Sequence, residues 1–277
     1  MDKLAPTEQQ RDIGATLQVQ ARIDPQQAAE RCRDFLCAQL KASGQQALVL
    51  GISGGVDSTV AGRLAQLAVE KARQKGHQAT FVAMRLPYGE QKDEADAQRA
   101  LQFIEPDEAL STDIKPASDA MLDALEAGGL MFRDAAHRDF VLGNIKARQR
   151  MIAQYAVAGA RRGLVVGTDQ AAEALMGFFT KYGDGACDVA PLTGLSKRQV
   201  RAVGAALGAP GELVDKVPTA DLESLSPMKT DEEAFGVSYA EIDDFLEGKP
   251  VSERAYRIIV STYSNTTNKR NLPITPV

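Results

Sequence analysis

Short uninterrupted apolar runs alternate along the chain with longer segments that carry apolar residues at helical spacing. The runs at residues 47–52, 80–86 and 163–168 have the length of strands. Because polar residues do not alternate within them, they are typical of strands buried on both faces. A weaker short strand is expected near residues 112–114. The sequence therefore predicts a buried sheet of short strands.

The segments between and after these runs predict helices. Pro25 suits a first helical position, and Ser196 with Gln199 has the spacing of a capping box. The expected helices are 25–41, 57–75, 93–104, one after Pro116, 137–161, 196–207, 238–246 and 252–262. Strands alternating with helices predict an α/β fold, a doubly wound parallel sheet flanked by helices on both faces. We expect a polar N-terminal arm over residues 1–24 and a single domain over 25–277.

Composition and charge exclude several classes of protein. The 277 residues are 44% hydrophobic and 25% charged, as in ordinary soluble globular domains. A net charge of -5 argues against a nucleic-acid partner or an acidic membrane surface, and no apolar run is long enough for a membrane span. Three cysteines and two histidines predict neither a disulfide framework nor a zinc site. With no signal-peptide pattern at the N-terminus, a cytoplasmic location is expected.

A glycine-rich turn follows the first predicted strand, where ligands bind in parallel sheets. Glycines let the backbone approach a ligand, and the N–H groups that begin the next helix attract an anion. The turn lacks the lysine of a P-loop, and the Asp57 carboxylate would repel a phosphate unless Mg²⁺ lay between them. A plain turn with Asp57 as a helix cap is the alternative. The nucleotide-binding candidates are Gly51, Ile52, Ser53, Gly54, Gly55, Val56, Asp57 and Ser58.

The string Ser53-Gly-Gly-Val-Asp-Ser resembles the pyrophosphate loop of the N-type ATP pyrophosphatases. Those enzymes cleave ATP to AMP and pyrophosphate while they adenylate an acceptor. Motifs at residues 85–97, 143–151, 166–173, 178–188, 191–197 and 218–222 resemble ammonia-dependent NAD synthetases and occur in that family's order. One departure is Asn268, which stands where the family usually has histidine. The resemblance covers the chain from about residue 30 and implies an adenine nucleotide alpha hydrolase-like fold.

The resemblance also implies roles for individual residues. Asp57 and Glu173 would hold Mg²⁺, and Asp57, Lys197 and Asp184 would form the catalytic set. Glu173 and Lys197 could instead be solvent-exposed charges at helix starts, and Asp184 could lie in an ordinary turn. Besides the glycine loop, the implied ATP contacts are Arg85, Gln91, Thr168, Lys197 and Thr219. The implied contacts of the acid substrate are Asn144, Arg148, Lys181, Asp188, Asn268 and Lys269.

The implied reaction converts ATP, deamido-NAD⁺ and ammonia to AMP, pyrophosphate and NAD⁺ through an adenylate. Glutamine-using relatives carry a further glutaminase domain, for which about 30 N-terminal residues leave no room, so free ammonia is the expected nitrogen source. The family also implies a homodimer with the dinucleotide at the interface. Another ATP-pyrophosphatase ligase, or a nucleotide-binding module of the same fold without enzyme activity, remains an alternative.

Overall fold

The computed structural model describes residues 3–89, 94–218 and 230–276. Its strands are β1 (Lys3–Leu4), β2 (Ala47–Gly51), β3 (Thr80–Arg85), β4 (Glu108–Ser111), β5 (Gly163–Val165) and β6 (Val251–Ser252). Its helices are α1 (Glu8–Thr16), α2 (Pro25–Ser43), α3 (Val56–Gln74), α4 (Glu94–Ile104), α5 (Lys115–Ala127), α6 (Ala135–Arg161), α7 (Ala171–Met176), α8 (Lys197–Ala206), α9 (Gly211–Val214), α10 (Asp231–Phe235), α11 (Tyr239–Leu246), α12 (Glu253–Asn265) and α13 (Thr267–Arg270). No helix in these ranges is long and apolar enough to cross a membrane.

Four parallel strands form the main sheet, in the order β4-β3-β2-β5. The chain moves outward from β2 through β3 to β4, and then returns to place β5 on the other side of β2. This reversal between β2 and β5 is the point where open α/β sheets form a ligand crevice. The three apolar runs are therefore confirmed as strands, and the predicted doubly wound architecture is confirmed with them.

The predicted weak strand at residues 112–114 is wrong. The fourth strand lies earlier, at Glu108–Ser111, where Leu110 pairs with Met84 of β3. Asp113 instead makes a turn, because its Oδ1 accepts hydrogen bonds from the Gly89 and Lys115 N–H groups at 2.9 and 2.8 Å. An edge strand with one exposed face lacks the continuous apolar run that marks the central strands.

Helix boundaries follow the chemistry of their first residues. Asp24 caps α2, whose first residue is Pro25. Ser196 and Gln199 form the predicted capping box at the start of α8. The other predicted helices that the structure describes begin and end within about three residues of their expected positions, which is the ordinary scatter of such boundaries.

Both faces of the sheet are covered. One face of β2 and β3 presents Leu48 and Phe81, which are fully buried and pack in one cluster with residues of α2, α3 and α8. The opposite face presents Val49 and Val82, which cluster with residues of α6. Burying each such side chain contributes about 1.5–3 kcal/mol. This packing fixes the sheet and leaves its carboxyl edge for the site.

The described part of the N-terminal arm packs against the C-terminal helices. β1 pairs with β6, and the side-chain amide of Gln10 donates to the carbonyls of Phe245 and Lys249, both at 2.9 Å. Ile13 of α1 is buried in a second core with residues of α7, α11 and α12. The boundary at residue 24 remains a prediction, but residues 3–24 share a core with the rest of the chain.

Candidate active site

A pocket of about 560 Å³ opens at the carboxyl ends of β2, β3 and β5. The glycine loop lies at one end, and all its predicted residues except Gly54 contribute to the lining. The other end is formed by Phe178, Phe179, Thr180 and Asp184, and one wall is a face of α6. The pocket therefore joins the predicted nucleotide loop to the segment assigned to the acid substrate.

The backbone of the glycine loop requires glycine at residue 54. Gly54 has φ +85°, and a Cβ there would lie 2.7 Å from the Ala97 backbone nitrogen. The Ser53 and Ser58 hydroxyls lie 3.1 Å apart and brace the turn. Gly55 is the N-cap of α3 and supplies no side-chain acceptor, so Asp57 is not the cap. The first N–H groups of α3 therefore have no side-chain cap, as in anion-binding helix ends.

Asp57 and Lys197 form a desolvated ion pair beside this loop. Lys197 Nζ lies 2.5 Å from Asp57 Oδ2, and their side chains are 3% and 15% exposed. Burial opposes the charge on Lys197, but the Asp57 and Glu173 carboxylates outweigh it and raise the pKa of Lys197. The other Asp57 oxygen, Oδ1, is buried and has no hydrogen-bond partner among the described residues. The pair thus keeps one carboxylate oxygen available for a cation.

Carboxyl groups around the pocket repel one another. Desolvation and the charge of Asp57 raise the pKa of Glu173 well above its usual range. Desolvation, with the charges of Asp184 and Asp57, raises the pKa of Asp169 to about 7. Desolvation by the surrounding protein also raises the pKa of Asp184. A divalent cation near Asp57 and Glu173 would relieve this repulsion, so the donor set suits Mg²⁺. Within the described ranges, no three side chains of the metal-ligating types form a ready-made metal centre.

Arg85, Thr168 and Lys269 were also predicted and also line the pocket. Arg85 is held in its wall, donating to the Ile52 carbonyl at 2.5 Å and to Glu94 Oε2 at 2.6 Å. Thr168 lies three residues beyond the end of β5, and Lys269 Nζ donates to the carbonyls of Gly177 and Phe179, both at 2.7 Å. Lys269 thereby ties α13 to the pocket rim.

The predicted acid-substrate residues divide between the pocket and a neighbouring surface. Asn144 lines the pocket, where its Oδ1 accepts from the Thr180 hydroxyl at 3.1 Å. Arg148 and Lys181 lie beside it, since Arg148 donates to the Lys181 carbonyl at 3.2 Å and Lys181 Nζ donates to the Asn268 carbonyl at 2.6 Å. Asp188 accepts from the Val165 N–H at 2.8 Å.

The structure does not bring every predicted residue into the pocket. Arg148, Lys181, Asp188 and Asn268 are not among the described residues that line it. Gln91 and Thr219 lie outside the described residues, so their predicted ATP contacts remain predictions.

The sequence interpretation missed Arg150, Gln154, Asp169 and Asp231. Arg150 and Gln154 share the α6 face that also carries Gly143 and Ala147, and Asp231 belongs to the lining as well. Their spacing, i, i+4, i+7, i+11, places these residues on one side of the helix, but other sides of α6 also carry small and polar residues, so the spacing alone did not single out this face. Asp169 directly follows Thr168, whose position at a strand end was the cue.

Comparison with known proteins decides the family. The NAD synthase family profile matches residues 28–273. The chain belongs to the NAD synthase family. A relative from Streptomyces coelicolor, named NH(3)-dependent NAD(+) synthetase, is 66% identical over 96% of this chain and 97% of its own length. One from Paraburkholderia phytofirmans with the same name is 60% identical over 98% of this chain and 95% of its own.

Two solved structures share the fold. An NAD+ synthetase from Burkholderia pseudomallei superimposes with TM-score 0.84 at 56% identity and covers 98% of this chain and 99% of its own. An NMN synthetase from Francisella tularensis has TM-score 0.80 at 35% identity, over 92% of this chain and 99% of its own. The adenine nucleotide alpha hydrolase-like fold implied by the sequence motifs is confirmed.

Proposed function

We propose that this chain is an ammonia-dependent NAD synthetase, which amidates deamido-NAD⁺ at the expense of ATP through an adenylate intermediate. The observation that carries the proposal is the Asp57–Lys197 pair beside a glycine loop, in a pocket that extends to Asp184. A bare nucleotide-binding module would not need this pair. The name carried by the relatives at 60–66% identity supports the same activity over other ATP-pyrophosphatase ligases.

The first step makes the nicotinate carboxylate reactive. One carboxylate oxygen attacks the α-phosphorus of ATP, the bond from that phosphorus to the bridging oxygen of pyrophosphate breaks, and an acyl-adenylate forms. The leaving pyrophosphate gains negative charge. We expect the N–H groups at the start of α3 and the ammonium of Lys197 to stabilise that charge, and such electrostatic stabilisation is the larger part of phosphoryl-transfer catalysis.

Asp57 and Glu173 are the proposed holders of Mg²⁺. Their mutual repulsion, and the unpartnered Oδ1 of Asp57, fit a cation at this position. A bound Mg²⁺ would neutralise negative charge on the phosphates of ATP. Lys197 alone, with a single positive charge, would leave part of that negative charge uncompensated. The predicted ATP contacts of Arg85, Thr168, Gln91 and Thr219 belong to the same proposal.

The second step uses ammonia as the nucleophile. Ammonium first loses a proton, and the free ammonia attacks the acyl-adenylate carbonyl and forms the carbon–nitrogen bond. The nitrogen then loses a second proton, and the carbon–oxygen bond to AMP breaks to release AMP and the amide. Asp184 is the proposed acceptor of a proton, because desolvation raises the pKa of its carboxyl group and makes it a stronger base. Thr180 N–H donates to Asp184 Oδ1 at 3.0 Å and fixes its orientation.

The acid substrate is proposed to lie along α6 and to reach a homodimer interface. Arg148, Lys181, Asn268 and Lys269 gather at that end of the pocket, and Asp188 lies on the segment between β5 and α8. Phe140 and Ile152 of α6 are 54% and 52% exposed, as expected of apolar residues that a second subunit covers. Sedimentation velocity tests this part, and a monomer throughout the micromolar range would contradict it.

Product analysis tests the proposed function. Purified protein with ATP, Mg²⁺, deamido-NAD⁺ and ammonium chloride should form NAD⁺, AMP and pyrophosphate in equal amounts. Glutamine at the same concentration should support little reaction. Formation of ADP and phosphate would contradict the proposal.

A second acceptor sharpens that experiment. One structural relative is named an NMN synthetase, so nicotinate mononucleotide should be compared with deamido-NAD⁺ as the acid. We expect deamido-NAD⁺ to be preferred, and a higher kcat/KM for the mononucleotide would overturn the assigned substrate.

The free thiols of Cys32, Cys37 and Cys187 fit the proposed cytoplasmic location, where cysteines stay reduced.

A further inference from the structure

The sheet splits between β2 and β5 at the edge where the pocket opens. Val49 is the last residue of β2 that pairs with β5, opposite Val165. Val166 N–H still donates to the Val49 carbonyl at 2.9 Å, but the chain then turns away and Gly167 N–H donates to the Val189 carbonyl at 2.8 Å. Continued pairing would have given the Gly51 N–H the Val166 carbonyl as its acceptor. The split therefore leaves the last N–H of β2 without a strand partner.

A side chain of α6 takes the place of that strand. Gln154 Oε1 accepts the hydrogen bond of the Gly51 N–H at 2.8 Å. A Cβ on Gly51 would lie 3.4 Å from the Gln154 amide, so the two groups are in close contact. Gln154 Nε2 donates to the Arg150 carbonyl one turn earlier, at 3.3 Å, which fixes which end of the amide faces the strand.

The same helix face also holds the end of β3. Arg150 Nε donates to the Leu86 carbonyl at 3.1 Å, just beyond that strand. Gln154 thus anchors α6 to the end of β2, where the glycine loop begins. Arg150 anchors it just beyond the end of β3, whose last residue is Arg85. Asn144, at the acid-substrate end of the pocket, belongs to the same rigid helix.

We propose that Gln154 is a positioning residue that stands in for the missing strand and fixes the first residue of the glycine loop relative to α6. The identity of the two ligands, ATP and the acid substrate, rests on the proposed function. Through this bond, the ATP loop and the acid-binding end of the pocket form one unit, so that α-phosphorus and carboxylate meet at reacting distance. Small displacements of reacting groups are costly in rate.

Gln154→Met removes the acceptor at nearly constant length and tests the proposal by kinetics. Because ATP still meets the loop but is misaligned with the acid, we expect kcat to fall about 30-fold while KM for ATP changes less than about threefold. Gln66→Met is the matched control, since Gln66 is a buried amide of α3 that bonds to Glu70 and Asp107 away from the pocket. It should keep kcat within about threefold of the parent.

One binding measurement and one amide-exchange measurement add readouts besides the steady-state kinetics. Calorimetry with α,β-methylene-ATP and deamido-NAD⁺ should show that each ligand tightens the other about fivefold or more in the parent. Gln154→Met should remove most of that coupling, and Gln66→Met should retain it. Amide exchange should show Gly51 N–H protected in the parent and about tenfold less protected in Gln154→Met.

The amide-exchange arm separates this inference from the proposed function. A parent protein that makes no NAD⁺ refutes the function, yet protection of the Gly51 N–H still tests the bond. Unchanged protection in Gln154→Met overturns the inference, as does a kcat within about threefold of the parent or an equal loss in Gln66→Met.

Discussion

Asp57→Asn is expected to lower the rate of AMP formation by about 10³-fold, the range seen when one preorganised charge-stabilising group is lost. Asparagine keeps the shape of the side chain but removes the charge that would hold Mg²⁺ and balance Lys197. The loss should fall on adenylation itself, so AMP and pyrophosphate should disappear together with NAD⁺. Quenched-flow analysis with radiolabelled ATP measures it.

Asp107→Asn is the control for that result. Asp107 is paired with Arg73 at 2.8 Å and accepts from Phe81 N–H at 2.9 Å, toward the amino end of β3 and away from the pocket. The same chemical change there should leave activity within about threefold of the parent. An Asp57→Asn protein that forms AMP at the parent's rate would show that Asp57 does not hold the metal.

Lys197→Met is expected to lower kcat by about 10²–10³-fold, because the buried ammonium no longer stabilises the leaving pyrophosphate. The same change should strengthen metal binding to the nucleotide-free protein. In the parent protein, the Lys197 ammonium lies 2.5 Å from Asp57 Oδ2 and neutralises that carboxylate. In Lys197→Met, a divalent cation would meet an Asp57 carboxylate that has no neighbouring ammonium to compete with. Electron paramagnetic resonance with Mn²⁺ measures this second effect.

Lys269→Met provides the comparison for metal binding. Lys269 lines the same pocket, but its ammonium donates to the Gly177 and Phe179 carbonyls and, within the described part of the chain, to no carboxylate. Its loss removes the same charge and should change the Mn²⁺ affinity by less than about twofold. Equal Mn²⁺ affinity in the parent and in Lys197→Met would mean that Lys197 does not compete for Asp57.

The sequence predicted the central strands because burial on both faces leaves them continuously apolar, as at residues 47–52. It also predicted the glycine loop, since the turn, the anion-binding helix start and Asp57 are contiguous. It missed β4, because an edge strand alternates and resembles a turn region in composition. The sequence pattern therefore predicts an element best where the surroundings of that element are the same along its whole length.

The site was less predictable where it depends on how elements dock. The spacing of Asn144 and Arg148 suggested one face of α6. Asn144 does line the pocket, but Arg148 does not, and the pocket face also carries Arg150 and Gln154. A helix with small and polar residues on several sides does not reveal which side meets the sheet. Asp57 and Lys197 form an ion pair although they lie 140 positions apart in the sequence. The family resemblance implied a role for each residue, but their contact is visible only in the folded structure.

Transfer of an oxygen isotope tests the adenylate mechanism most directly. Deamido-NAD⁺ labelled with ¹⁸O in both carboxylate oxygens should be incubated with the protein, ATP, Mg²⁺ and ammonium, and the AMP analysed by mass spectrometry. We expect one ¹⁸O atom in the phosphoryl group of each AMP, because the attacking carboxylate oxygen leaves with it. Unlabelled AMP formed alongside NAD⁺ would contradict the mechanism.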